Sequence, residues 1–197
     1  MAFETSCRDW ERRIMAGESL ITFEPEFKNA AAAGLATFKD LHLRDVPGCP
    51  TYGQVGRKWQ FDFVSQIFGS CNPDTMRRTI KEFFQMVAKK NDKSSGAAGI
   101  MMTALILNDR ESAEFIIVAP TVEVANNSFN PARDMVKSDE ELADLMQVQE
   151  HYRMITNRNT GATLKVVAAE SDTVGGIKGT GIQIGRASCR ERVCLYV

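Results

Sequence analysis

Apolar positions along the chain change spacing several times, and each change marks an element. After Pro25 an alanine-rich stretch carries Phe27, Ala31, Leu35 and Phe38 at helical spacing, which predicts a helix over 26–41. A peripheral helix over 5–16 precedes it, with Ser6 as its cap, Trp10, Ile14 and the stem of Arg13 on one side and Gly17 as its stop. Two prolines and two glycines make 45–53 a loop, and a short helix over 58–68 follows, with Trp59, Phe63 and Phe68 reading as core aromatics. A basic stretch at Arg77, Arg78 and Lys81 leads into a strand at about 82–88. Ala97, Ala98, Ile100, Met101, Ala104, Leu105 and Leu107 then set out an amphipathic helix, with Gly96 and Gly99 allowing close packing.

The run EFIIVA at 114–119 is a compact, β-branched buried strand ended by Pro120, and Thr121 caps a helix over 122–136. Ser138, with Glu141 in the capping-box position, predicts a further helix to about 149. Residues 154–157 and 163–168 pattern as a hairpin across Asn159, Thr160 and Gly161, while 175–181 is too glycine-rich to be regular. Strand–helix–strand–helix alternation at this spacing implies an α/β fold, a parallel sheet flanked by helices through right-handed crossovers.

Composition narrows the chemistry. With 197 residues, 44% apolar and 25% charged, the chain has the make-up of a globular domain with a real core. A net charge of −1 gives no overall basic field, so a nucleic-acid partner would need a local patch. No apolar run is long enough to span a bilayer and the charged start is not a secretory signal, so no membrane partner and a cytoplasmic home are expected. Cys7, Cys49 and Cys71 form no C-x-x-C pair and read as reduced thiols, and two histidines offer little to a metal cluster or triad.

The stretch VAKKNDKSSGAAG, 87–99, has the layout of a phosphate-binding loop. A strand delivers the chain to Lys89 and Lys90, the loop aims backbone N–H groups and the Lys93 ammonium at phosphates, and Ser94 stands where a Mg²⁺ ligand belongs. The helix that opens there favours anions at its N-terminus. Ala88 and Asp92 replace the two glycines of the G-x-x-x-x-G-K-[ST] pattern. Aspartate tolerates the left-handed backbone that such a glycine often adopts, but its carboxylate opposes a triphosphate unless it turns outward or pairs with Lys93.

The last fourteen residues, 184–197, follow no protein-like pattern. IGRASCRERV matches, codon for codon, a translated sequencing adapter (ATC GGA AGA GCG TCG TGT AGG GAA AGA GTG). This reading places a foreign tail at 184–197, cuts the native coding sequence near Gln183, and expects the tail to belong to no central element.

FKDLHL and PTYGQVGRKWQFDFVSQIFG, then FFQMVAKKNDKSSGAAG, FIIVAPTVEVANNSFNPARDMV and LKVVAAESDTVGGIKGTGI, stand in this order between 38 and 182. In that order they resemble the large terminase subunit of tailed bacteriophages, the ATPase–nuclease motor that packages DNA. The resemblance implies a P-loop NTPase-type fold with a helical segment at 1–45 and an incomplete ATPase domain at 46–183. It implies ATP and Mg²⁺ as cofactors, double-stranded DNA, portal protein and small terminase subunit as partners, and the host cytoplasm as location. Trp59 and Gln60 would contact the adenine, and Lys90, Asn91, Asp92, Lys93, Ser94 and Ser95 would cradle the phosphates. Lys93 would bridge the β- and γ-phosphates, Lys89 would touch the transferred phosphate, and Ser94 would hold Mg²⁺. The Walker B aspartate and the water-orienting glutamate belong after Ile182, where the tail begins, so the fragment as written is expected to be inactive. The alternatives are another P-loop motor of helicase type, or a nucleotide- or protein-binding module without turnover.

Overall fold

The computed structural model describes residues 6–88, 90–168, 179–185 and 192–196. Helices α1 (Trp10–Ala16), α2 (Lys28–Asp40), α3 (Tyr52–Val55) and α4 (Lys58–Gly69) precede strand β1 (Glu82–Met86). Helix α5 (Lys93–Ile106), strand β2 (Glu114–Ala119), and helices α6 (Val122–Lys137) and α7 (Glu140–Leu145) follow. The sheet is completed by β3 (Met146–Gln149), β4 (Met154–Asn157), β5 (Thr163–Ala168), β6 (Gly181–Gly185) and β7 (Arg192–Tyr196).

Among the described residues, seven strands form one sheet in the order β1-β7-β6-β2-β5-β4-β3. Strand β2 is parallel to both neighbours, β5 and β6. Because β7 is antiparallel to β1 and to β6, strands β1, β6, β2 and β5 all run one way. The expected parallel core is therefore present, with β7 inserted against the grain and the β4–β5 and β3–β4 antiparallel pairs extending the far edge. The hairpin across 159–161 forms as expected, with Gly161 at φ 66°.

The core lies between this sheet and its helices. Phe115, Ile117, Ala119, Leu164, Val166 and Ile155 meet Ala97, Ala98, Met101, Met102 and Leu105 of α5 and Phe129, Ala132, Met135 and Val136 of α6. Helix α5 is buried nearly all round rather than along one stripe, because it packs against α2, α6 and the sheet together. A Cβ at Gly99 would lie 2.8 Å from the Phe38 ring, so glycine permits that close approach, whereas Gly96 has only ordinary contacts. Helices α2 and α4 cross even more tightly at Gly34, where a Cβ would stand 2.3 Å from Phe68 Cγ. Phe38 and Tyr52 stack at 4.3 Å between ring centroids, joining α2 to α3.

Three expectations are corrected. The first helix begins at Trp10, not 5, with Asp9 at its N-cap, where Arg12 and Arg13 hold the carboxylate at 2.7 and 2.9 Å. The helix expected to run to 149 stops at Leu145 and is capped by Asp139, whose Oδ1 accepts from Leu142 N at 3.0 Å, while the Ser138 hydroxyl donates back to Asp134 O. From Met146 the sequence Met-Gln-Val-Gln alternates with period two, and with Met146 buried it pairs as a strand on β4. Third, the described parts of 184–197 do join a central element. Ile184 and Gly185 complete β6, and 192–196 form β7 between β1 and β6. Two facing strand edges present unpaired N–H and C=O groups, and RVCLY, with its β-branched and aromatic residues, has the propensity to satisfy them. Most of the glycine-rich loop expected at 175–181 lies outside the described residues.

Candidate nucleotide site

Leaving β1, the chain turns through 87–92 into α5. Lys90 and Asp92 both have left-handed backbone, φ 66° and 53°. Asp92 occupies the N-cap position of α5 without a side-chain cap bond, and its carbonyl accepts from Gly96 N at 3.0 Å. Aspartate therefore takes the conformation that glycine would supply at this position.

Its carboxyl does not turn outward. Asp92 is exposed at the rim, yet its Oδ2 accepts a hydrogen bond from Gln60 Nε2 at 3.0 Å. Burial is the main influence on this carboxyl and pushes its pKa up, while contacts from Tyr52, Gln60 and Ser95 pull it back. The fully buried Tyr52 hydroxyl faces the same carboxylate without reaching good hydrogen-bond geometry. Burial first, and the Asp92 charge second, raise Tyr52 well above its ordinary range.

Lys93 is 5% exposed, and its Nζ donates to Val87 O at 3.2 Å, tying the start of α5 to the end of β1 across the loop. Asn91 spans the loop as well: Nδ2 donates to Ala88 O at 3.3 Å and Oδ1 accepts from Arg57 Nη1 at 3.3 Å. Ser94 and Ser95 are half-buried in the first turn of α5. Lys89 lies outside the described residues.

The facing wall comes from the start of α4. Gln60, 8% exposed, folds its amide back so that Oε1 accepts from Arg57 N at 2.8 Å, while Nε2 reaches Asp92. Thr51 and Gln54 repeat the same device one helix earlier, with Thr51 N donating to Gln54 Oε1 at 2.9 Å. Between these elements lies a cavity of about 230 Å³. Trp59, Gln60, Lys90, Asn91 and Asp92 line it together with Leu43, Asp45, Val46, Tyr52, Val55, Gly56 and Arg57. Trp59 is thus half-buried on a cavity wall rather than in the core, where Phe68 does lie.

Lys93 and Ser94 are not on that wall, and Ser95 lines a second cavity of about 280 Å³ with His42, Asn126, Asn127, Asn130 and Asp134. The two cavities share Leu43 and Asp45. Sequence reasoning missed Tyr52, Arg57 and Asp45 as cavity residues. The Thr51-x-x-Gln54 and Arg57-x-x-Gln60 spacings were the available signal, since each marks a helix start whose side chains turn back on the backbone.

Residues 58–185 match the family described as terminase large subunit, ATPase domain. The crystal structure of the HK97 bacteriophage large terminase matches with a TM-score of 0.61 at 19% identity, over 76% of this chain and 29% of that one. This chain therefore spans less than a third of that terminase's length, and the likeness speaks for the fold. No curated protein matched the sequence. The family match begins at the first residue of α4, takes in Trp59, Gln60 and the whole 87–95 loop, and ends with β6. The chain belongs to the terminase large subunit ATPase-domain family, on a P-loop-type α/β fold.

Proposed function

We propose that this chain is the nucleotide-binding part of a viral DNA-packaging motor, in which ATP hydrolysis drives double-stranded DNA into a procapsid with portal protein and small terminase subunit as partners, in the host cytoplasm. The observation that carries the reading is the cavity in which Trp59 and Gln60 meet Lys90, Asn91 and Asp92 across about thirty positions of sequence. The family match supports the ATPase assignment and the partners. Among the described residues no helix is long and apolar enough to cross a membrane.

In this reading the base lies against the half-buried Trp59 indole, with the Gln60 amide at its edge. The phosphates then sit over the 90–95 turn, where the N-terminal amides of α5 and its dipole favour anions. Lys93 exchanges its bond to Val87 O for phosphate oxygens, and Lys89 neutralises the transferred group. The residues present fit Mg²⁺: Ser94 offers a hard oxygen in the first turn of α5, and no group of three or more His, Cys, Asp or Glu among the described residues would hold a metal alone. One protein ligand plus phosphate oxygens is a common Mg²⁺ arrangement. The ion would neutralise charge developing on the phosphates.

The assignment takes 1–45 as a preceding helical segment, 46–183 as ATPase domain and 184–197 as a foreign tail, of which 192–196 fill a strand position. No Asp-Glu pair follows β6 in the sequence as written, so in this reading the chain binds ATP but turns it over negligibly. Titration with a fluorescent ATP analogue and Mg²⁺ tests this. Lys93→Ala should weaken binding about 10²-fold, and Ser94→Ala should abolish the benefit of Mg²⁺. Unchanged affinity in Lys93→Ala, or sustained phosphate release by the unaltered chain, overturns the assignment.

A further inference from the structure

We infer that Asp92 is a positioning residue that sets base selectivity by fixing the amide of Gln60. This rests on the reading of the cavity as the base site. A glutamine amide reads a purine only if its oxygen and nitrogen are presented the right way round. On its Watson–Crick edge adenine shows the N6 N–H donor beside the N1 acceptor, whereas guanine shows the reverse, the O6 acceptor beside the N1 N–H donor. A freely flipping amide can adapt to either, and a fixed one cannot.

Here the amide is fixed from both ends. Arg57 N donates to Oε1 at 2.8 Å, so that end is the oxygen. Asp92 Oδ2 accepts from the other end at 3.0 Å, so that end is the nitrogen. Reversing the amide would set two donors against each other at Arg57 and two acceptors against each other at Asp92. Each end retains capacity: the oxygen has a second lone pair and the nitrogen a second hydrogen, and Gln60 lines the cavity. A held acceptor beside a held donor matches adenine and mismatches guanine. The helix backbone alone supplies only one of the two anchors.

The anchor is also well supported. Asp92 is held by the left-handed turn at the start of α5, and Arg57 Nη1 to Asn91 Oδ1 ties the neighbouring loop residue to the same helix start. The carboxylate so placed weakens triphosphate binding by charge while it sharpens the choice of base. These two effects separate in different variants. Asp92→Asn keeps an acceptor oxygen and tolerates the left-handed backbone without the charge, whereas Asp92→Gly keeps the backbone and loses the acceptor.

The test is competition of ATP and GTP, each with Mg²⁺, against a fluorescent nucleotide on the 197-residue chain, with Tm recorded for each variant. The expected result is that the unaltered chain favours ATP and that Gln60→Ala loses this preference. Asp92→Gly should reduce the ATP-to-GTP affinity ratio about tenfold while binding both more tightly, and Asp92→Asn should keep the ratio within about threefold. If the unaltered chain does not distinguish the nucleotides, or Gln60→Ala keeps the full preference, the base-site reading falls and the inference with it. If Gln60→Ala loses the preference but Asp92→Gly keeps it, the inference alone is overturned. Equal loss in Asp92→Asn and Asp92→Gly also overturns it, since the acceptor would then not be what matters.

Discussion

The two halves of the sheet, on either side of β2, are held by different means. On the β5-β4-β3 side, Leu164, Ile155 and Met146 are fully buried and belong to the same core as α5 and α6. On the other side, β1 reaches the rest of the sheet through main-chain pairing with β7. Its Phe83 is buried and meets Phe63 edge-on, but Phe84 is 52% exposed. The difference separates two sources of order: interlocking apolar side chains specify one arrangement, whereas a ladder of peptide groups accepts any segment able to extend. The loop after β1 connects the two, leaving the laddered β1 and entering the tightly packed α5.

The largest effect should come from the packed half. Leu164→Ala removes a fully buried side chain and should cost about 2–5 kcal/mol, lowering the denaturant midpoint for every probe together. Separate transitions for helix and sheet signals would show that this half is not one cooperative unit. Cys194→Pro addresses the other half. Cys194 pairs with Phe84 on one side and Ile184 on the other, and proline removes its N–H from the ladder. Amide exchange at 82–86 should accelerate while 114–119 stay protected, and equal acceleration in both would erase the distinction between the halves.

A smaller loss is expected at Gly34→Ala, about 1–3 kcal/mol, because the added methyl meets Phe68 Cγ at 2.3 Å. A thermal melt checks it, and an unchanged Tm would mean that α2 and α4 pack less closely than described. The smallest effect lies outside both halves. Hydrogen bonds from Arg12, then Arg13, lower the Asp9 pKa from its usual 3.8 to about 2. A lowered carboxylate stabilises above its unfolded pKa and loses that contribution as pH falls, here between about 3.8 and 2. Carboxyl NMR should show Asp9 titrating near 2 with neither sheet half disturbed, and a midpoint at 3.8 would dissolve the α1 ion cluster.

What was legible in the sequence follows the same division. EFIIVA announced β2 to the residue, and Thr121 announced the cap of α6, where its hydroxyl accepts from Val124 N. These signals are local. The strand at 146–149 was hidden because a capped helix begins just before it and only four residues carry the new period. Strand β7 was hidden for another reason: its place is decided by the edges of β1 and β6, more than 100 and about 10 positions away respectively. In the candidate site, the loop and the left-handed Asp92 could be read from residue types, but the Gln60–Asp92 bond joins side chains 32 positions apart and has no local trace.

The left-handed backbone at Asp92 also has a genetic side. Both aspartate codons become glycine codons by a single A-to-G change at the second base. That substitution would relieve about 1 kcal/mol of conformational cost in the turn and remove a negative charge from the start of α5. It would also delete the partner that Gln60 leans on. The gene is therefore one point mutation from a turn that folds more easily and, on the inference drawn above, discriminates less between bases.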